Sequence, residues 1–221
     1  MSKPFGALHA IAIAILLFTA WYGLTLYEGM PDPVPVHWDL SGEADRWAPK
    51  SVGNVFGPLF IGLVMVISMV VINRFLRRSQ TFIGNAEGEM YDALFGYINL
   101  SLAVTFAWVA ITGWTGTSLG PLFFAMVLLG GVPVFIIIGV YYRRVTAERK
   151  QLETAGDPST DKQFWRAGMV YSNKDDPRLF VPRPPHLGFG STINMGHPSA
   201  RAIIVGFVVF IALFIGIVEV L

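Results

Sequence analysis

The sequence of 221 residues contains no cysteine, which removes disulfides, thiolate metal sites and cysteine nucleophiles together. Charge is also scarce. Aspartate, glutamate, lysine and arginine make up 14% of the chain, against roughly 25% in an average soluble domain. So few charges do not cover the surface of a soluble chain of this length. The net charge of +1 says nothing about nucleic acid, but no basic stripe with interleaved aromatics is present, so nucleic acid is not expected as a partner.

What is abundant is apolar surface, at 53% of residues, and it comes in blocks. A hydrocarbon core about 30 Å thick asks for about 20 apolar residues per helix. Five blocks meet that demand: about Phe5–Tyr27, Asn54–Asn73, Asp92–Trp114, Leu119–Tyr142 and Ala202–Leu221. The first is too long for the apolar part of a signal peptide and ends in Trp21, Tyr22 and Tyr27 rather than small residues, so it reads as an uncleaved helix. Pro58 is expected near the first turn of the second helix. In the third, Asn99, Ser101, Thr105 and Thr112 can bond neighbouring helices or their own backbone. Gly130, Gly131 and Pro133 predict a kink in the fourth.

The fold class expected is therefore an all-α integral membrane protein with about five transmembrane helices and a small β-containing cytoplasmic insert. Residues 1–145 form a four-helix domain with a motif loop at 28–53, residues 146–200 the insert, and residues 201–221 the fifth helix. Orientation follows from the cations. Of sixteen lysines and arginines, only Arg46 and Lys50 lie on one side of this topology. Positive charge concentrates in the cytoplasm, which predicts a cytoplasmic N-terminus, an extracellular C-terminus and a multi-pass protein of a bacterial plasma membrane, with the lipid bilayer as its solvent. The middles of the blocks hold no ionisable side chain, with His9 near one end and Glu219 at another, a pattern unlike that of secondary transporters and proton pumps.

The 28–53 loop carries the densest polar pattern. Pro31, Pro33 and Pro35 enforce an extended approach, and Asp39-Leu40-Ser41-Gly42 has the residues of a type I turn. Trp38 and Trp47 flank that turn, as if an arm folded back to rest both indoles at the headgroup level. His37, Asp39, Glu43 and Asp45 are groups able to hold a divalent cation or move protons, although one histidine among scattered carboxylates lacks metal-site spacing. Three readings stand for the loop: a rigid cap in which Asp39 or Asp45 pairs with Arg46 or Lys50, a recognition surface, and a metal or acid–base site. No catalytic residue, metal or cofactor is assigned.

The insert begins with a polar stretch, Glu148–Lys162, read as a helix extension fading into a linker. Met169–Ser172, Leu179–Val181 and Ser191–Met195 read as short strands, Asn173–Pro177 as a turn, and Pro182–Pro185 as a break. Its candidate motif residues are Trp165, Gly168, Tyr171, Asn173, Asp175, Asp176, Pro177, Arg178, Asn194, His197 and Pro198. Gly188 and Gly190 with Ser191 offer either backbone donors for an anion or simple tight turns. Asp175 and Asp176 read as turn and cap residues.

The loop resembles a bacterial membrane family that includes SdpI-type proteins. The likeness rests on Pro35, His37 and Trp38, followed by Gly42, Asp45, Trp47 and Lys50 in the order proline-x-histidine-tryptophan, then glycine-x-x-aspartate-x-tryptophan-x-x-lysine. That resemblance implies protection from a secreted killing peptide and relay of its presence to a transcriptional repressor. The insert is similar to a second uncharacterised domain with a tyrosine-x-asparagine-x-aspartate-aspartate-proline-arginine core, here Tyr171, Asn173, Asp175, Asp176, Pro177 and Arg178. SdpI-type proteins lack such an insert. The function expected is non-catalytic sensing of, or resistance to, an extracellular peptide or envelope stress, with a cytoplasmic regulator or another membrane protein as partner. The alternatives are an accessory subunit of a larger membrane complex or transporter, and an outer-face enzyme using His37 and nearby carboxylates.

Overall fold

A computed structural model describes residues 3–78, 85–187 and 190–220. Four helices in it are long and apolar enough to cross a membrane, spanning Gly6–Gly29, Val52–Arg78, Ala86–Thr115 and Gly120–Gln151. The chain is thus a multi-pass membrane protein. In chain order the elements are α1 (Lys3–Leu26), β1 (Val34–Trp38), β2 (Ala44–Ala48), α2 (Val52–Arg78), α3 (Asn85–Thr115), α4 (Gly120–Leu129) and α5 (Val132–Thr154). Four short strands follow, β3 (Trp165–Arg166), β4 (Val170–Tyr171), β5 (Phe180–Pro182) and β6 (Ser191–Ile193), and then α6 (Ala200–Val220). The stretch Ala200–Val209 of α6 is apolar but shorter than a crossing.

The fourth block breaks where its glycines and proline stand, between α4 and α5. Pro133 has no N–H to continue the ladder, and the Val134 N–H turns to the Gly131 carbonyl at 3.2 Å. The Gly130 carbonyl accepts instead from the Tyr97 hydroxyl at 2.6 Å.

Two expectations are corrected. Helix α2 starts at Val52, with the Ser51 hydroxyl accepting from the Asn54 N–H as an N-cap, so Pro58 lies inside the helix beyond its first turn. Helices α2 and α3 also run past their apolar stretches, to Arg78 and from Asn85. Hydropathy registers only the oily part of a helix. The extensions are held by polar contacts, such as the Glu148 carboxylate that accepts from the N–H groups of Ala86 and Glu87 at 3.0 and 3.4 Å.

The chain divides into two compact units. The first, residues 1–74 and 89–141, has a core of Ala12, Leu16, Met30, Val34, Val55, Leu59, Val66, Ala103, Ala110 and Trp114. Small residues let the helices approach: a Cβ on Gly62 would stand 2.9 Å from the Phe106 ring. The second, residues 75–88 and 142–221, contains the antiparallel pairs β3–β4 and β5–β6. Of its strands, β4 and β6 fall within expected stretches, β5 overlaps the third but runs on to Pro182, where a break was expected, and β3 was not suggested by the sequence. Ala167, Gly168 and Met169 join β3 to β4; Ala167 and Gly168 have positive φ, and the Met169 N–H donates to the Arg166 carbonyl at 3.1 Å. A primed turn of that kind matches the right-handed strand twist.

Candidate functional site

The 31–50 loop is an antiparallel hairpin of β1 and β2. Its tip forms the expected turn. The Gly42 N–H donates to the Asp39 carbonyl at 3.0 Å, and Gly42 sits at φ +86°, a conformation that favours glycine. The Asp39 carboxylate accepts from the Ser41 hydroxyl, the Ser41 N–H and the Glu43 N–H at 2.5, 2.8 and 3.1 Å. The Ser41 hydroxyl is the largest influence holding that carboxyl below the usual carboxylate range.

One side of the hairpin is anchored within the first unit. Val34 is buried in the helix core. The Trp38 indole donates to the Thr117 carbonyl at 3.3 Å and lies against Gly113, whose added Cβ would meet the ring at 3.5 Å. The Gly42 carbonyl accepts from the Leu119 N–H at 2.9 Å. Lys50 closes the base: its ammonium donates to the carbonyls of Tyr27, Glu28 and Met30 at 3.2–3.4 Å, and stands 5.5 Å from the centre of the Tyr27 ring. A cation there bonds carbonyls where the first helix ends and complements its dipole. The Lys50 N–H also donates to the Asp32 carboxylate at 2.9 Å.

The other side is displayed. Register shifts lie on both sides of the His37–Arg46 pair, and such bulges re-aim side chains. The His37 Nδ1 meets the Asp45 Oδ1 at 2.5 Å, both side chains nearly half exposed. Val36 and Trp47 are exposed, and Leu40 at the tip is 97% exposed. The expected pairing of Asp39 or Asp45 with Arg46 or Lys50 is replaced: Asp45 takes His37, Asp39 takes its own turn, and Lys50 takes backbone. His37, Asp39, Glu43 and Asp45 do not gather at one point, and no three His, Asp or Glu side chains among the described residues form a metal-binding group.

The second motif is closed upon itself. Asn194, fully buried, donates to the carbonyls of Asn173, Asp176 and Arg178 at 2.7–3.2 Å and accepts from the N–H groups of Asn173 and Gly196. Arg178 reaches two carboxylates with two bonds each, Asp176 at 2.9 and 2.8 Å and Asp157 at 3.0 and 2.9 Å. The Tyr171 hydroxyl donates to Asp176 at 3.1 Å. Asn173 accepts from the Asp175 N–H at 2.9 Å, and the Trp165 ring packs against Tyr171 at 5.3 Å between centres. Gly196 is small of necessity, since a Cβ would come within 2.6 Å of the Asn173 backbone. The His197 Nδ1 accepts from the Ser199 N–H at 3.1 Å, with Pro198 between them at the approach to α6.

Electrostatics follow this geometry. Burial works to raise the Asp157 and Asp176 carboxyls, but hydrogen bonds led by Arg178 outweigh it and hold both below the usual range. Hydrogen bonding to Asp176 raises Arg178 further, and burial pushes the Tyr171 phenol up to about 12. Gly188 lies outside the described residues. Gly190 presents its carbonyl, which accepts from the Arg183 N–H and the Arg149 guanidinium at 3.0 and 2.9 Å.

Asn99 bonds neighbouring helices as its sequence context implied, but two groupings were not foreseen. Arg149 and Glu87 form a buried ion pair in the second unit. In the first unit, His9, Asn73, Asp92 and Asn99 are buried polar side chains within the helices. The apolar blocks around them hid their burial, although their polarity in such a context was itself a signal.

A protein-family model described as "Domain of unknown function (DUF1648)" matches residues 14–62. That span covers the second half of α1, the hairpin and the start of α2, so the chain carries an uncharacterised membrane-type domain. Neither a curated protein nor a solved structure matches the chain.

Proposed function

We propose that this is a non-catalytic bacterial membrane protein of SdpI-like type, in which the hairpin meets an extracellular peptide and the second unit contacts a cytoplasmic regulator. The observation that carries this reading is the two-sided hairpin. It is fixed by Val34, Trp38, Gly42 and Lys50, and it presents His37, Leu40, Asp45 and Trp47 to solvent. A rigid scaffold under an exposed aromatic and a charged pair suits recognition, because little ordering is lost on binding. The cation asymmetry supports a cytoplasmic N-terminus, an outward hairpin and a fifth crossing by α6 that ends outside.

The test is deletion of the gene, followed by challenge with a panel of secreted antimicrobial peptides and envelope-stress agents. Reduced survival restored by the wild-type gene supports the reading. Survival and transcription unchanged across the panel refute it.

A second reading, an accessory subunit of a larger membrane complex, is favoured by one observation. The apolar span Gly120–Gln151 leaves none of its most apolar window buried against the rest of the chain. Purification in mild detergent, with identification of co-eluting chains, tests that reading.

A further inference from the structure

We propose that the helix bundle of the first unit holds a hydrated proton-binding site at His9, and that proton uptake there breaks a hydrogen-bonded chain joining α1, α2 and α3. The proposal goes beyond peptide sensing and depends on different residues. His9 is 4% exposed and Asn73 and Asn99 are fully buried. Three of their polar atoms have no hydrogen-bond partner among the described residues: His9 Nε2, Asn99 Oδ1 and Asn73 Oδ1.

The chemistry of the neighbours fixes the protons. The Val66 carbonyl can only accept, so the Asn99 atom 3.2 Å from it must be the amide nitrogen. That same nitrogen lies 2.7 Å from His9 Nδ1. Both amide hydrogens are then used, and Nδ1 must offer a lone pair. His9 is therefore the neutral tautomer with its proton on Nε2, and that N–H is buried without an acceptor among the described residues.

A second polar layer lies close by. The Asn73 amide donates to Asp92 at 3.1 Å. Asn73 is seven residues beyond Val66 on α2, and Asp92 seven before Asn99 on α3, so the layers are two turns, about 10 Å, apart. The unmatched set is one donor and two acceptors. Water accepts an N–H and donates two O–H groups, and buried water typically occupies such polar gaps. Water at these atoms supplies the partners that the surrounding side chains do not.

Protonation is coupled to packing. Uptake of one proton from a hydronium, which becomes water, leaves a hydrogen on both ring nitrogens, and the Nδ1 N–H then faces the Asn99 NH2 group. Either Asn99 swings away from His9, or its amide flips and sets Oδ1 against the Val66 carbonyl. One cross-helix bond is lost in each case. The charges bearing on His9 come from Asp92 on α3 and Arg74 on α2, of opposite sign.

The test is solid-state NMR of the full-length protein in lipid nanodiscs, with labelled histidine and asparagine. His9 is assigned by loss of its signals in His9→Gln and Asn99 by loss in Asn99→Ser, with His9→Phe as a second assignment variant. At neutral pH we expect a protonated Nε2 in contact with water and an unprotonated Nδ1. On acidification a proton appears on Nδ1 in the same step that moves the Asn99 side-chain amide signal. A neutral Nδ1–H tautomer, a His9 without water contact, or an Asn99 amide indifferent to His9 protonation each overturns the proposal.

Discussion

The two motif-bearing segments spend similar residues in opposite ways. In the hairpin, His37, Asp39, Glu43 and Asp45 all face solvent. In the second unit, Tyr171, Asn173, Asp176 and Asn194 are buried and bonded to one another. A buried, satisfied polar network specifies a fold, because each member left alone is costly. An exposed histidine–aspartate pair has no such structural duty. The difference separates scaffold from surface: the second motif builds its unit, whereas the first divides between anchors and a displayed face.

The largest break in that comparison comes from Asn194→Ala. It removes five hydrogen bonds and exposes buried donors and acceptors to loss, a cost of about 3–4 kcal/mol. Limited proteolysis is expected to cut within residues 155–200 of the variant and not of the wild type. Lys50→Met is expected to cost about 1–2 kcal/mol, read as faster amide exchange around residues 27–32 and in the hairpin. His37→Ala is the smallest in stability, below about 1 kcal/mol, as for an exposed pair. Its effect is expected in survival under peptide challenge instead.

Acidity sharpens the same contrast. Asp157 and Asp176 have folded values below their unfolded ones, so their contribution is present above the unfolded value and lost as pH falls through the folded one. Tyr171 is raised, so its contribution is whole below its ordinary value of 10.0 and fades as pH climbs toward about 12. Melting followed by Trp165 fluorescence, against a Trp165→Phe control, is expected to show a plateau bounded by losses at both extremes.

Much of this architecture is legible in sequence because hydrocarbon imposes its own grammar. Long apolar blocks marked the helices, and Gly130, Gly131 and Pro133 marked the break between α4 and α5. Asp39 and Gly42 foretold the hairpin turn. The ladder beneath it was hidden, since prolines and irregular register mask the alternation by which strands are recognised. The start of α3 was missed because its polar turn is stabilised by a distant partner, Glu148, and the end of α2 because hydropathy registers only its oily part. Lys50 was legible as a motif position, but its role as a cap on the end of the first helix required the folded-back hairpin. His9 and Asn99 lie ninety residues apart, and only packing brings them together.

The central claim is that the displayed face of the hairpin recognises a ligand while its anchored face holds it still. The direct measurement is survival of the deletion strain under peptide challenge when complemented with Trp47→Ala, at membrane levels matched to wild type. Loss of protection with a normally folded protein is the predicted result. Full protection by Trp47→Ala and by His37→Ala together would contradict it.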